Sequence, residues 1–149
     1  MSMRPIVLRC RAALEEGRRK AFDQHRSGTP GMQVSTLLAD LYDDVVLDIW
    51  HEAIREHATD ERLTGLSLIA HGGFGRRDLA PYSDADLMLL TTPKAESLAI
   101  KIAGNLQKDI GDSGIDPGFS FRTSNEACRM SWEDPVIYSS LSESRLLAG

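Results

Sequence analysis

The chain has 149 residues, of which 42% are hydrophobic and 26% are charged, so it is long enough for one domain with a sizeable core and too short for a second. This composition is typical of a folded, soluble protein and argues against a disordered, collagenous or membrane-embedded one. The 22 acidic and 17 basic residues give a formal net charge of -5, which disfavours nucleic acid as a partner because duplex binding needs a basic surface.

Cysteine usage and the N-terminus indicate the compartment. Cys10 and Cys128 are far apart and lack a CxxC or histidine-rich context, so neither a zinc site nor a disulfide framework is predicted. The first residues lack the apolar region of a signal peptide, and no apolar run approaches the ~18 residues of a membrane span. We therefore expect a cytoplasmic protein without membrane contacts.

Two helices are predicted before any strand. Residues 9–25 favour helix by composition, and residues 27–31, which read SGTPG, break it. From Val34 to about His57, apolar residues recur at helical spacing. Four acidic residues follow the opposite side of this second helix, and we interpret them as a solvent-exposed face in preference to a metal site: Asp40, Asp43, Asp44 and Asp48.

Three strands are predicted in the second half of the chain. Residues 66–70 and 85–90 are short and apolar, as buried central strands are, and residues 115–123 alternate. A helix is predicted between the last two strands, over residues 94–110. The chain is then predicted to be helical from Glu126, with a break near Pro135 and a last helix that includes residues 146–149. Because this last helix stops abruptly, we expect a fragment of a longer protein.

Two carboxylates at the start of the second strand predict a metal site. Side chains alternate along a strand, so Asp84 and Asp86 face the same way. Two adjacent carboxylates repel unless a cation neutralises them. Oxygen ligands suit Mg²⁺, which binds through one or two carboxylates together with substrate phosphates. We therefore expect Mg²⁺, with two ions as the favoured arrangement, and a nucleoside triphosphate (NTP).

A glycine turn after the first strand supplies the complementary phosphate site. Gly72 and Gly73 let the backbone approach phosphate oxygens, and the amides that follow present donors to a triphosphate. The planar fork of Arg76 recognises phosphate well. The glycine pair, a short spacer and the DxD pattern in this order predict a nucleotidyltransferase, although each motif alone is weak.

Three blocks in series carry a closer resemblance. Residues 72–87 read GGFGRRDLAPYSDADL, residues 118–123 read GFSFRT, and residues 142–149 read SESRLLAG. They resemble the GGYGRxELxPxSDxDL, GHSVRT and ESRLLxG segments of bacterial PII-protein uridylyltransferases, within the DNA polymerase beta-like nucleotidyltransferase superfamily. The resemblance implies transfer of UMP from UTP to a tyrosine of a PII signalling protein. Nothing here resembles that family's later HD and ACT domains, so we expect the transferase part alone.

The resemblance and the residues together give the expected site. The predicted catalytic and metal-binding set is Asp84, Asp86 and Asp116, with Asp112 as the alternative third carboxylate and a loop-capping role open for both. Ser83 and Arg122 join the glycine pair and Arg76 as predicted nucleotide-binding residues, although Arg122 could equally pair with a structural carboxylate. His71 stands where the family has an apolar residue, and we favour a packed, hydrogen-bonded histidine over a phosphate ligand.

We expect an α/β (α+β) nucleotidyltransferase fold with a small mixed β-sheet and helices packed on one side. Residues 1–60 form an N-terminal helical extension and residues 61–149 the nucleotidyltransferase core of one domain. Asp84, Asp86 and Asp116 are expected on adjacent strands. Adenylyl transfer to another protein or a small molecule, and a non-catalytic nucleotide-binding module, remain alternatives because the motifs identify neither the base nor the acceptor.

Overall fold

The computed structural model describes residues 3–57 and 65–149. In these residues two long α-helices come first, and four strands, four further α-helices and a short 3-10 helix at Pro93–Ala95 follow. Their bounds are α1 Pro5–Arg26, α2 Gly31–His57, β1 Leu66–Ala70, α3 Gly72–Gly75, β2 Ala85–Thr91, α4 Glu96–Ser113, β3 Pro117–Thr123, α5 Ser124–Glu133, α6 Pro135–Ser142 and β4 Arg145–Ala148. None of the described helices is long and apolar enough to cross a membrane. The predicted boundary between residues 60 and 61 lies outside the described residues.

The four strands form one mixed sheet in the order β3-β2-β1-β4. β1 runs antiparallel to both β2 and β4, whereas β2 and β3 are parallel. The parallel pair needs a crossover, and α4 provides it. This small mixed sheet flanked by helices confirms the predicted fold class at that level.

The main core lies between one face of the sheet and the long helices. Leu68, Leu87 and Leu89 alternate inward from β1 and β2 and are fully buried. They belong to one cluster with Ile49 of α2 and Ile102 of α4. Burial of each such side chain contributes about 1.5–3 kcal/mol, so the two central strands and the long helices hold each other in place.

The opposite face of the sheet is also covered, which corrects the expectation of helices on one side. Ile69 of β1 and Met88 and Leu90 of β2 point away from the main core and line a cavity of about 340 Å³. Residues of α5 and α6, among them Ala127 and Leu141, line the same cavity. These two short helices therefore lie on the face of the sheet that also carries Asp86, since residues 86, 88 and 90 alternate in register.

The predicted helix through residues 146–149 is wrong. Residues Arg145–Ala148 form the edge strand β4, in which Leu146 lies opposite Ile69 of β1. Leu and Ala favour helix locally, but the free edge of β1 offers backbone hydrogen bonds that override this preference. The third strand also begins later than predicted, at Pro117 instead of residue 115.

Candidate functional site

A backbone hydrogen bond connects the residue after β1 to the DxD segment. The backbone N–H of His71 donates to the carbonyl oxygen of Asp86 at 3.0 Å. Asp84 precedes β2 and is exposed, whereas Asp86 lies within β2 and is half-buried. Burial raises the pKa of the Asp86 carboxyl, the charge of Asp84 raises it further, and His71 acts in the opposite direction. The charge of Asp84 therefore acts on the Asp86 carboxyl, and the shared direction of the two side chains remains a prediction.

Two glycines enclose the Asp86 carboxylate. A Cβ at position 72 would lie 2.6 Å from Asp86 Oδ2, and a Cβ at position 118 would lie 2.5 Å from Asp86 Oδ1. Gly72 also has a φ of +57°, which side chains rarely adopt. Gly118 is the β3 residue in register with Asp86. Because both positions are glycine, the Asp86 carboxylate has the space to adopt this orientation.

The glycine turn continues into the single-turn helix α3. Gly75 N–H donates to His71 O at 2.9 Å and Arg76 N–H donates to Gly72 O at 3.1 Å. The first amides of any helical turn have no partner within that helix. A Cβ on Gly73 would lie 3.3 Å from the carbonyl oxygen of Asp78. This close-packed backbone, free of side chains at positions 72 and 73, suits the approach of phosphate oxygens.

Helix α6 lies beside this turn and contacts it through two polar pairs. Arg76 forms an ion pair with Glu143, just after α6. His71 Nδ1 lies 2.7 Å from Ser140 Oγ of α6, so the hydrogen-bonded histidine that we favoured is confirmed. Gly72, Arg76, Ser140 and Glu143 all line one open cavity of about 400 Å³. The arginine predicted to bind phosphate thus has a carboxylate as its partner in this structure.

The hydroxyl of Ser83 forms a hydrogen bond within the loop that precedes Asp84. Ser83 Oγ accepts a hydrogen bond from Ala80 N–H at 3.0 Å, and Ser83 O accepts one from the Tyr42 hydroxyl at 3.1 Å. The Tyr42 oxygen in turn accepts from Arg18 Nη2 at 2.6 Å. These contacts position the backbone beside Asp84, and the predicted nucleotide contact of Ser83 remains a prediction.

The third carboxylate does not join a metal-binding group. Ala85 N–H donates to Asp116 O at 2.9 Å, so Asp116 lies beside the start of β2, but it precedes β3 and its side chain is exposed. Asp112 is paired with Lys108 at 2.7 Å, at the end of α4. Within residues 3–57 and 65–149, no three His, Cys, Asp or Glu side chains are grouped so that they could hold a metal ion.

Arg122 lies on the same face of the sheet as Asp86. Asp86 is in register with Gly118 and Leu90 with Arg122, so Arg122 is four residues farther along β3. Burial lowers the pKa of the His71 imidazole; Asp86 opposes this shift and Arg122 adds to it. The charge of the Arg122 guanidinium therefore affects the pKa of His71. The contact of Arg122 with a nucleotide remains a prediction.

Sequence reasoning missed a network that fixes the glycine turn to α2. Arg145 of β4 makes two hydrogen bonds to the Asp43 carboxylate, at 2.8 and 2.9 Å, and one to Phe74 O at 3.3 Å. Arg77 also pairs with Asp43, at 3.1 Å, and with Asp40. Asp43 is therefore a half-buried structural carboxylate, which corrects its assignment to a solvent-exposed face. The position of Asp43 on α2, next to the buried Tyr42, was the feature of the sequence that could have indicated a partly buried carboxylate.

The pair Asp84 and Asp86 has the donor chemistry that a divalent cation needs. Both groups are oxygen ligands, and Asp86 carries a charge that burial and its neighbour disfavour. A cation would relieve both effects, and substrate phosphates would supply the remaining ligands. The arrangement therefore fits Mg²⁺ at two protein carboxylates.

Comparison with known proteins identifies relatives along nearly the whole chain. It is 33% identical over 145 residues to a bifunctional uridylyltransferase/uridylyl-removing enzyme of Nitrosococcus oceani, with 97% of this chain and 16% of the relative covered. The enzymes of the same description from Streptomyces coelicolor and Methylococcus capsulatus are 36% and 29% identical, over 83% and 96% of this chain and 14% and 16% of their own length.

The chain thus corresponds to one segment of these bifunctional enzymes and spans about a sixth of their length or less. No family model matches it.

Proposed function

We propose that this chain is a Mg²⁺-dependent nucleotidyltransferase domain that transfers UMP from UTP to a tyrosine of a PII-type signalling protein and releases pyrophosphate. The observation that carries the proposal is the pair Asp84 and Asp86 beside the glycine turn. Similarity to uridylyltransferase/uridylyl-removing enzymes over 97% of the chain supports it. The choice of UTP and of a PII-type acceptor rests on that similarity and on the three sequence blocks.

Each residue has a defined task in this proposal. Asp84 and Asp86 would hold Mg²⁺, whose charge offsets the negative charge that accumulates on the phosphates during transfer. Gly72 and Gly73 admit the triphosphate to the backbone amides, and Arg76 exchanges Glu143 for a phosphate oxygen. The acceptor hydroxyl oxygen attacks the α-phosphorus and its proton passes to Asp116 or to water. The bond between that phosphorus and the oxygen bridging to the β-phosphate breaks, and pyrophosphate leaves with the electron pair. Positioning and charge account for most of the catalysis.

A transfer assay tests the proposal. The chain is incubated with Mg²⁺, a PII-type protein and each of the four NTPs in turn, labelled at the α-phosphate, and the acceptor is analysed by mass spectrometry. We expect label from UTP on one acceptor tyrosine and no transfer with EDTA. Transfer of AMP from ATP would instead support an adenylyltransferase, and the absence of transfer from all four NTPs would contradict the proposal.

A second candidate is a nucleotide-binding module without turnover. The position of Asp116 favours it, because within the described parts of the chain no third carboxylate joins Asp84 and Asp86 in a metal-binding group. Comparison of Asp116→Asn with the unmodified chain separates the two functions. In a transferase that uses Asp116 to bind metal or to take the acceptor's proton, the variant keeps NTP affinity and loses transfer. In a binding module neither protein transfers a nucleotide, although both bind it.

A further inference from the structure

The hydrogen bond between His71 and Ser140 places a hydroxyl next to a base at the candidate site. Ser140 Oγ lies 2.7 Å from His71 Nδ1. When the ring carries its proton on Nε2, Nδ1 accepts the hydrogen bond from the hydroxyl. His71 Nε2 is buried and has no hydrogen-bond partner within residues 3–57 and 65–149. The ring is therefore held by Ser140, and this pair resembles the nucleophile-and-base arrangement of covalent catalysis.

This pair adjoins the residues that would hold the nucleotide. The backbone N–H of His71 donates to Asp86 O at 3.0 Å, and the next residue, Gly72, packs against the Asp86 carboxylate. Ser140 also lines the cavity of about 400 Å³ that Gly72 and Arg76 line. A triphosphate on the glycine turn would thus share its space with the Ser140 hydroxyl.

We propose that Ser140 is a self-modification site: in the presence of NTP and Mg²⁺ this chain transfers a nucleoside monophosphate to its own Ser140 hydroxyl. This inference rests on the proposed function, because it uses the same carboxylates and the same glycine turn. The ligand class is a nucleoside triphosphate, and the product is a phosphodiester between the serine oxygen and the nucleoside 5′-phosphate.

The step balances without any further reactant. Ser140 Oγ forms a bond to the α-phosphorus, and the bond between that phosphorus and the oxygen bridging to the β-phosphate breaks. Pyrophosphate leaves with the electron pair of that bond. The hydroxyl proton passes to His71 Nδ1 and from there to solvent, so no atom is oxidised or reduced.

Neighbouring hydroxyls do not share this geometry. Ser139 lines the same cavity but is exposed, and the hydroxyl that contacts His71 is that of Ser140. The Ser142 hydroxyl donates to the carbonyl oxygen of Ser139 at 2.8 Å and is thereby occupied within α6. Within the described residues of α6, Ser140 is the hydroxyl that contacts a histidine. Ser139 is therefore a matched control: the same residue type, helix and cavity without the base.

The test is covalent labelling of the whole 149-residue chain without any acceptor protein. Each NTP is supplied once with an α-phosphate label and once with a γ-phosphate label, with Mg²⁺, and the denatured chain is analysed by intact mass and peptide sequencing. We expect α-label but not γ-label to remain bound, at no more than one nucleotide per chain and on Ser140. Ser140→Ala is expected to lose the label and Ser139→Ala to retain it.

His71→Asn gives an independent measure of the base. The asparagine oxygen can accept the same hydrogen bond but is not a base, so the labelling rate should fall about 100-fold with Ser140 still the labelled residue. Label that persists in Ser140→Ala, or its absence in a chain that binds NTP and labels an added acceptor, overturns this inference and leaves the proposed function intact. A chain that neither binds NTP nor labels an acceptor overturns both.

Discussion

Gly118 and Asp86 occupy one position in the parallel register of β3 and β2, and a Cβ on Gly118 would lie 2.5 Å from the Asp86 Oδ1. Real Cβ atoms do not approach other atoms so closely, so any side chain at position 118 must move the carboxylate. The orientation of a predicted metal ligand thus depends on the absence of a side chain on the neighbouring strand.

Gly118→Ala should therefore weaken Mg²⁺-dependent NTP binding without unfolding the chain, because it displaces Asp86. The matched control is Gly104→Ala in α4, where a Cβ would meet nothing within 4 Å. Alanine at this exposed position in the middle of α4 should stabilise the chain by about 0.5–1 kcal/mol and leave binding unchanged. Isothermal titration with NTP and Mg²⁺ checks both variants; equal affinities in the two would refute the role of Gly118.

The Tyr42 hydroxyl is predicted to support both stability and turnover. It accepts from Arg18 at 2.6 Å and donates to the Ser83 carbonyl at 3.1 Å, and Arg18 also donates to Gly114 O at 3.1 Å. The loops before β2 and before β3 are thereby joined through one buried arginine. Tyr42→Phe should lower the free energy of unfolding by about 1–3 kcal/mol, because it leaves buried polar groups without partners.

Denaturant unfolding of Tyr42→Phe measures this loss, and Tyr138→Phe, at an exposed tyrosine of α6, is the control. Residual transfer, assayed where Tyr42→Phe is fully folded, should also be reduced, because the loop carrying Asp84 is less well fixed. Equal unfolding free energies for the two variants would contradict the role of this hydroxyl.

Removal of the Glu143 charge should increase NTP affinity. Glu143 pairs with Arg76 in an exposed ion pair, which a bound triphosphate must break. Such pairs are worth about 0.2–1 kcal/mol, so Glu143→Gln should tighten NTP binding by about 1.4- to five-fold. The control Glu133→Gln removes an exposed charge at the end of α5. An unchanged or weaker affinity in Glu143→Gln would show that Arg76 does not exchange Glu143 for phosphate.

The stability of the metal-free chain should fall as the Asp86 carboxyl ionises. Burial and the charge of Asp84 raise the pKa of this carboxyl in the folded state. Between the ordinary and the raised pKa the folded chain binds more protons than the unfolded chain, so the free energy of unfolding decreases as pH rises through that window. Asp86→Asn removes this effect and should stabilise the chain at neutral pH but not at a pH below the ordinary carboxyl pKa.

Thermal unfolding in EDTA at the two pH values tests this prediction, with Asp44→Asn at an exposed site of α2 as the control. A destabilised Asp86→Asn variant at neutral pH would show that the ionised Asp86 has a favourable partner in the metal-free chain.

The sequence predicted the central strands and the long helices because their patterns are set by local alternation and helical periodicity. The burial of Leu68 and Leu87 can be predicted from the apolar pattern of their own segments, without information about distant residues. The edge strand was not predicted, because Leu146 becomes part of a strand only through its pairing with Ile69 of β1. Here a tertiary contact overrides a weak helix preference.

The same distinction applies to the site. Alternation along a strand predicted a shared direction for Asp84 and Asp86, but β2 begins at Ala85, so the structure relates the two through the effect of the Asp84 charge on the pKa of Asp86. The contact of Arg76 with Glu143 joins positions 67 residues apart, and no local pattern predicts it. Asp116 was expected within a strand, but the strand starts one residue later, at Pro117, so alternation does not fix the direction of its carboxylate.

The most direct test of the central claim is the Mg²⁺ dependence of NTP affinity in the double variant Asp84→Asn/Asp86→Asn. The matched control is Asp44→Asn/Asp48→Asn, which removes the same charge from exposed positions of α2. We predict that the unmodified chain and the control bind NTP more tightly with Mg²⁺ than with EDTA, and that the folded double variant shows no such difference. A folded double variant that keeps the full Mg²⁺-dependent gain in NTP affinity would contradict the assignment of Asp84 and Asp86 as the metal-binding pair.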